Sequence, residues 1–276
     1  MSICRRGFVK IISIITIFIL ISCQGTRAPA SANNLIDIVF DLDWTLIKQL
    51  KRGESLKGPN IITYNDELYR VNDGAIELLS YLSKRDDVRL SFFSGGGKLR
   101  NESVLKKMMI GKRSAYDLAY KILSKDDLEI ISTDSSLSFT QRYRKNLLKV
   151  NSNLEQTLII DDDIRFAVDD SQVKNFLFLE SVKYHIDDPS QIIHATGPFD
   201  PQTKSEWFFD KNKLHMVKDI LTKSLDQDNF LDSVSVNTEE WDFKRNKFKS
   251  GQFKRFAHRL EAEDCHSVMF KFLEVF

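Results

Sequence analysis

The sequence predicts an α/β protein built on a doubly wound (Rossmann-like) parallel sheet with helices on both faces. Three observations predict it. Short apolar runs rich in β-branched and aromatic residues recur at 35–40, 88–93 and 157–160, the signature of strands buried on both sides. Segments with apolar residues at helical spacing separate them, which implies parallel strands joined by crossovers. Each run is followed directly by acidic or hydroxyl residues, at the strand ends where open parallel sheets collect their ligands. The composition agrees. Hydrophobic residues make up 42% and charged residues 29%, which excludes wholesale disorder, and 276 residues allow one large domain or two modest ones. Lys and Arg total 40 against 39 for Asp and Glu, so no nucleic-acid affinity is expected from charge.

Taken in order, the run at 35–40 is a buried strand ending in Asp41. Ile61–Tyr64 and Glu67–Val71 flank Asn65-Asp66 and predict a small hairpin. Ala75–Leu82 has helical spacing, and Val88–Phe93 is a strand running into Ser94-Gly95-Gly96-Gly97. Helices are expected at 99–109, 115–123 and 142–150, and strands at 128–131, 157–160 and Phe176–Phe178. Beyond Pro201 the pattern turns helical, at 211–225 and 253–276, with a polar stretch between; Trp207, Phe208, Phe209 and Phe270 read as core.

The N-terminus reads as an address. Arg5, Arg6 and Lys10 precede the apolar run 11–21, too short to span a bilayer and suited to a signal-peptide core. Leu20-Ile21-Ser22-Cys23 resembles the lipobox of bacterial lipoproteins. The resemblance implies export, cleavage after Ser22, and membrane attachment through lipid on Cys23 in the cell envelope, with Gln24 pointing to the outer membrane. Arg5-Arg6-Gly7-Phe8-Val9-Lys10 also resembles a twin-arginine signal, whereas the hydrophobic core suits the general secretory route; both routes stay open. Cleavage removes three positive charges and no negative ones, leaving a net charge of about −2. It removes Cys4, lipid occupies Cys23, and Cys265 is left alone, so no disulfide is expected. The expected organisation is a signal peptide (1–22), a tether (23–34), a catalytic domain (35–200) and a helical extension (201–276).

Four segments carry chemistry. Asp41 and Asp43, two apart after the first strand, can share a pocket if the chain leaves strand conformation there. Ser94 offers a hydroxyl followed by glycines whose amides can approach a phosphate. Asp161, Asp162 and Asp163 are hard oxygen donors of the kind Mg²⁺ prefers. Lys145 sits sixteen residues before Asp161. Together these segments resemble the haloacid-dehalogenase-type phosphatases: Val39-Phe40-Asp41-Leu42-Asp43-Trp44-Thr45-Leu46 for the first motif, Leu90-Ser91-Phe92-Phe93-Ser94 for the second. Tyr143-Arg144-Lys145-Asn146-Leu147 and Leu158-Ile159-Ile160-Asp161-Asp162 match the third and fourth, closest to the branch of polymerase C-terminal-domain phosphatases and NLI-interacting-factor-like proteins.

The resemblance implies an Mg²⁺-dependent phosphomonoesterase acting on a phosphorylated macromolecule or nucleotide. In it Asp41 is the nucleophile and a metal ligand, and Asp43 is the acid and base whose backbone carbonyl binds metal. Ser94 and Lys145 hold phosphoryl oxygens, and Thr45 fixes the loop beside the phosphate. Asp162 ligates Mg²⁺ with Asp161 as ligand or anchor, and which two of Asp161, Asp162 and Asp163 bind directly is open. It departs at Trp44, where an indole stands at the pocket mouth to stack on a substrate ring or to narrow the entrance. The intervals between motifs leave room for a hairpin flap and none for a separate cap domain. Blander readings stand beside these: a capping turn at 41–45, a plain glycine turn after Ser94, a solvated Lys145, a solvated acidic loop at 161–163. His185, His194, His215, His258 and His266 show no metal-ligand spacing. Two rival functions are a broad-specificity acid phosphatase or nucleotidase, and a catalytically idle lipid-anchored binding protein with the same fold.

Overall fold

The structure is a computed structural model, and it describes residues 35–50, 60–182, 201, 203–239, 241–242 and 247–248. The expected signal peptide, Cys23, the tether, Cys265, Phe270 and the helix at 253–276 lie outside the described residues. Residues 1–34 and 35–276 form two units; all that follows concerns the second.

In chain order the strands are β1 (Ile36–Phe40), β2 (Ile47–Gln49), β3 (Ile61–Tyr64), β4 (Glu67–Val71), β5 (Val88–Phe93), β6 (Met109–Ile110), β7 (Arg113–Ser114), β8 (Ala119–Leu123), β9 (Glu129–Ile130), β10 (Tyr143–Arg144), β11 (Thr157–Asp161) and β12 (Phe176–Phe178). Five of them form a parallel sheet in the order β12-β11-β1-β5-β8. The chain leaves β1 to build β5 and β8 on one side, then returns to lay β11 and β12 on the other. The order therefore reverses at β1, and the carboxyl ends of β1 and β11 flank the crevice where such sheets bind ligands.

The alternation of side chains along these strands sorts the core into two layers. Ile38 and Phe40 of β1, Leu90 and Phe92 of β5, and Leu158 and Ile160 of β11 face one layer; Val39, Phe93 and Ile159 face the other. The first layer is closed by the helices Ala75–Leu82, Lys98–Lys107, Lys204–Ser224 and Phe230–Thr238. Trp207, Phe208 and Phe209 are buried there as expected, so the helix Lys204–Ser224 shares the core of the sheet. The second layer is thinner than the sequence predicts. It is closed by the single helical turn Phe139–Arg142 and by 3-10 turns carrying Leu147, Leu154 and Phe166.

The hairpin is present, with Asn65 and Asp66 both left-handed (φ 46° and 63°), and β2 joins it to make a three-stranded antiparallel flap, β2-β4-β3. Among the described residues no cap domain interrupts the sheet.

Five expectations are corrected. The segment 115–123 is one helical turn, Ala115–Leu118, followed by the edge strand β8, because pairing of Ala119–Leu123 with β5 overrides a helix-like spacing. The segment 142–150 is extended at Tyr143–Arg144, where it pairs with β9, and becomes a 3-10 turn only from Leu147. The strand near 128–131 thus belongs to that small ladder and not to the parallel sheet. The polar stretch after 225 holds a further helix, Phe230–Thr238, and the preceding helix starts seven residues earlier than 211.

Candidate active site

β1 stops at Phe40, whose neighbours across the ladder are Ile160 and Phe92. Asp41 follows, its amide donating to the Ile160 carbonyl at 3.0 Å. The chain then turns tightly, with Leu46 and Ile47 amides both donating to the Leu42 carbonyl, and Trp44 sits in the left-handed region at φ 64°. That conformation costs a non-glycine residue on the order of 1 kcal/mol. It is held by the Trp44 amide on the Ile47 carbonyl (2.7 Å) and by the Val182 amide on the Trp44 carbonyl (2.8 Å). The turn is the departure from strand conformation that places Asp41 and Asp43 on one cleft. Thr45 is fully buried, and its carbonyl accepts from Asn72 Nδ2 at 2.7 Å, which fixes the loop to the flap's exit.

Lys145 enters from the opposite wall. Its amide donates to the Phe166 carbonyl, and its fully buried ammonium donates to Asp41 Oδ1 and Asp161 Oδ2, both at 2.6 Å. Asp161, the last residue of β11, accepts at its other oxygen from the Asp163 amide at 2.9 Å. Asp162 accepts from Ser181 Oγ at 2.6 Å. Ser94, past the end of β5, donates to Asp43 Oδ2 at 3.1 Å and accepts from the Gly96 amide. Arg100 forms an ion pair with the other oxygen of Asp43. Asp41, Asp43, Trp44, Gly95, Gly96, Phe139, Thr140, Asp162, Asp163 and Phe166 line a cleft of about 400 Å³. A second cavity of about 410 Å³, lined mainly by apolar groups such as Ile164, Val173, Phe176 and Trp241, contains none of these carboxylates.

The structure therefore brings together Asp41, Asp43, Ser94, Lys145, Asp161 and Asp162, with Thr45 buried in the turn that follows Asp43. Carboxylate oxygens of Asp41, Asp161 and Asp162 lie within 4.8 Å of one another; the Asp43 side chain is engaged by Ser94 and Arg100 instead. Asp163 turns aside to Arg165. Arg100, Ser181 and Lys213 (below) were not expected. Each is a single polar residue in a helix or loop, and nothing local marks it out.

The cluster fits a divalent cation. Two buried carboxylates and the half-buried Asp162 face one ammonium, so with all of them ionised the group carries excess negative charge that so little solvent cannot offset. Burial raises Asp41 well above the ordinary carboxylate range, against the pull of Lys145. Burial likewise raises Asp161, and burial followed by the neighbouring Asp161 pushes Asp162 up to about 7. The attraction of Asp161 and Asp41 outweighs burial at Lys145 and raises it, so the ammonium stays charged. Asp41 Oδ2 is buried without a hydrogen-bond partner, an oxygen that a hard cation would satisfy.

No protein-family model and no curated protein matches the sequence. Among solved structures, the chain is similar to Fcp1, an essential RNA polymerase II CTD phosphatase, at 13% identity and a TM-score of 0.39, covering 75% of this chain and 64% of that one. It is also similar to a fission yeast Fcp1 variant bound to beryllium fluoride, at 16% identity and a TM-score of 0.37, covering 75% and 62%. The chain thus spans less than two thirds of either.

Proposed function

We propose that this chain is an Mg²⁺-dependent phosphomonoesterase that works through an aspartyl phosphate on Asp41. The observation that carries the reading is the buried Lys145 ammonium bonded to Asp41 and Asp161 at 2.6 Å, while Asp41 keeps a second oxygen unpartnered on the wall of the cleft. In the first displacement an Asp41 oxygen attacks phosphorus as the bond to the leaving oxygen breaks, and Asp43 gives that oxygen its proton. In the second, Asp43 takes a proton from water, the water oxygen attacks phosphorus, and the Asp41–phosphorus bond breaks to release phosphate. In this reading Lys145 and the Gly95 amide hold phosphoryl oxygens, joined by Ser94 and the Gly96 amide once they part from Asp43 and from each other. Asp41, Asp161, Asp162 and the Asp43 carbonyl are the groups to hold Mg²⁺, which when bound offsets the repulsion between a carboxylate nucleophile and a phosphate dianion.

The acid role has its own test. Asp43→Asn is expected to slow hydrolysis of alkyl phosphates far more than that of p-nitrophenyl phosphate, whose leaving group needs no proton. Equal losses on both substrates would remove Asp43 from that role.

The aromatic groups on the cleft, Trp44, Phe139 and Phe166, keep the nucleotide-phosphatase reading beside that of a phosphorylated macromolecule. A panel of mononucleotides and phosphopeptides separates the two, and no turnover of any of them would leave the binding-protein reading. Attachment to the cell envelope through Cys23 is proposed from the sequence alone. It predicts that cells label the wild-type chain, and not Cys23→Ser, with a fatty-acid analogue.

A further inference from the structure

The helix Lys204–Ser224 is absent from every motif discussed above, yet it buries two charged side chains, Asp210 and Lys213, with essentially no exposure. An ammonium has three protons to place. Lys213 Nζ donates to the Glu180 carbonyl at 2.6 Å, the Ser181 carbonyl at 2.9 Å and Asp210 Oδ1 at 2.7 Å. The segment it grips is the one that leaves β12 and crosses behind the cleft. There Ser181 Oγ donates to Asp162 Oδ2 at 2.6 Å, and the next residue's amide, Val182, donates to the carbonyl of the left-handed Trp44 at 2.8 Å. One buried cation on the helix Lys204–Ser224 thus fixes the backbone from which both a cluster carboxylate and the Trp44 turn that follows Asp43 are held.

We infer that Lys213 is a positioning residue for the metal-binding carboxylate Asp162 and for the Trp44 turn, so that the helix Lys204–Ser224 is part of the active centre. The inference rests on the metal reading of Asp41, Asp161 and Asp162 proposed above. A charged group is suited to this task because its three acceptors lie in fixed directions. An apolar side chain of the same length fills the space and takes a donor away from two carbonyls and a carboxylate.

The test is Mg²⁺ binding by the full chain, titrated calorimetrically with MgCl₂ in the absence of substrate. Four variants are compared with wild type: Lys213→Met, Lys213→Arg, Ser181→Ala and the Lys213→Met/Ser181→Ala pair, each checked for folding by circular dichroism. Lys213→Met and Ser181→Ala are each expected to weaken Mg²⁺ binding about tenfold or more, the scale seen when the outer partners of metal ligands are removed. The pair should weaken it little further than Lys213→Met alone, because Lys213 reaches Asp162 through the hydrogen bond that Ser181→Ala removes. Lys213→Arg, which keeps the charge, should recover part of the loss. If Lys213→Met does not fold, Ser181→Ala and Lys213→Arg decide: wild-type affinity in both overturns the inference. Additive losses in the pair overturn it as well. A wild-type chain that binds no Mg²⁺ overturns the metal reading and this inference with it, whereas wild-type binding unchanged in a folded Lys213→Met overturns this inference alone.

Discussion

At the scale of single residues, the candidate centre was legible where its groups follow directly on a hydrophobic run. Asp41, Ser94 and Asp161–Asp162 all stand at strand ends, so local sequence places them on one edge of the sheet and the structure gathers them there. Arg100, Ser181 and Lys213 were not legible, because each reaches the site from an element whose docking is tertiary. The three glycines after Ser94 look equivalent in sequence and are not. A side chain at Gly96 would stand 2.5 Å from Asn101 Oδ1 and 2.6 Å from Arg100 Nη1, and Asn101 is itself buried and bonded to Gly96 and Ser124. At Gly97 a side chain would meet nothing within 4 Å. Gly96→Ala should therefore lower unfolding stability by about 1–3 kcal/mol through overpacking, and Gly97→Ala should stay within about 0.5 kcal/mol of wild type. Urea unfolding of the two variants side by side checks this, and equal stabilities would contradict the account of the loop.

At the scale of elements, strands buried on both faces and the hairpin were readable because their signals are local: β-branched runs and a turn dipeptide. The edge strand β8 was not. Its apolar positions fit a helix as well as a strand, and its ladder with β5 decides between them. The Lys145 segment was misread for the same reason, since its pairing with β9 is set by residues fourteen or so positions earlier. The flap illustrates the opposite case. Asn65 and Asp66 both take left-handed conformations, the geometry of a two-residue hairpin turn that prefers glycine at its second position. Asp66→Gly should then raise stability by about 0.5 kcal/mol, the left-handed strain relieved exceeding the extra freedom gained by the unfolded chain. A lowered urea midpoint for Asp66→Gly would show that the turn is held by something other than its backbone geometry.

At the scale of the whole molecule, the sheet supplies a rigid edge on which excess buried negative charge is concentrated. Asp162 at about 7, with Asp41 and Asp161 also raised, means that the folded chain holds more protons than the unfolded chain between about pH 4 and 7. Stability without metal therefore falls as pH rises through that window. Melting temperature in a chelator should drop from pH 5 to pH 8, at about 2–4 °C for each kcal/mol lost. Millimolar MgCl₂ should restore it at pH 8, where metal replaces protons, and Asp162→Asn should flatten the dependence. A wild-type melting temperature that rises over that range would contradict the charge balance described here. The central claim, that Asp41 is the nucleophile of an Mg²⁺-dependent phosphatase, is tested most directly by the rate of p-nitrophenyl phosphate hydrolysis in MgCl₂ by the wild-type chain and by Asp41→Asn. The account predicts turnover by the wild type that EDTA abolishes, and a loss of at least about a hundredfold in the variant, which keeps the shape of the side chain and removes its nucleophilic charge. Turnover by Asp41→Asn above about a hundredth of the wild-type rate would contradict it.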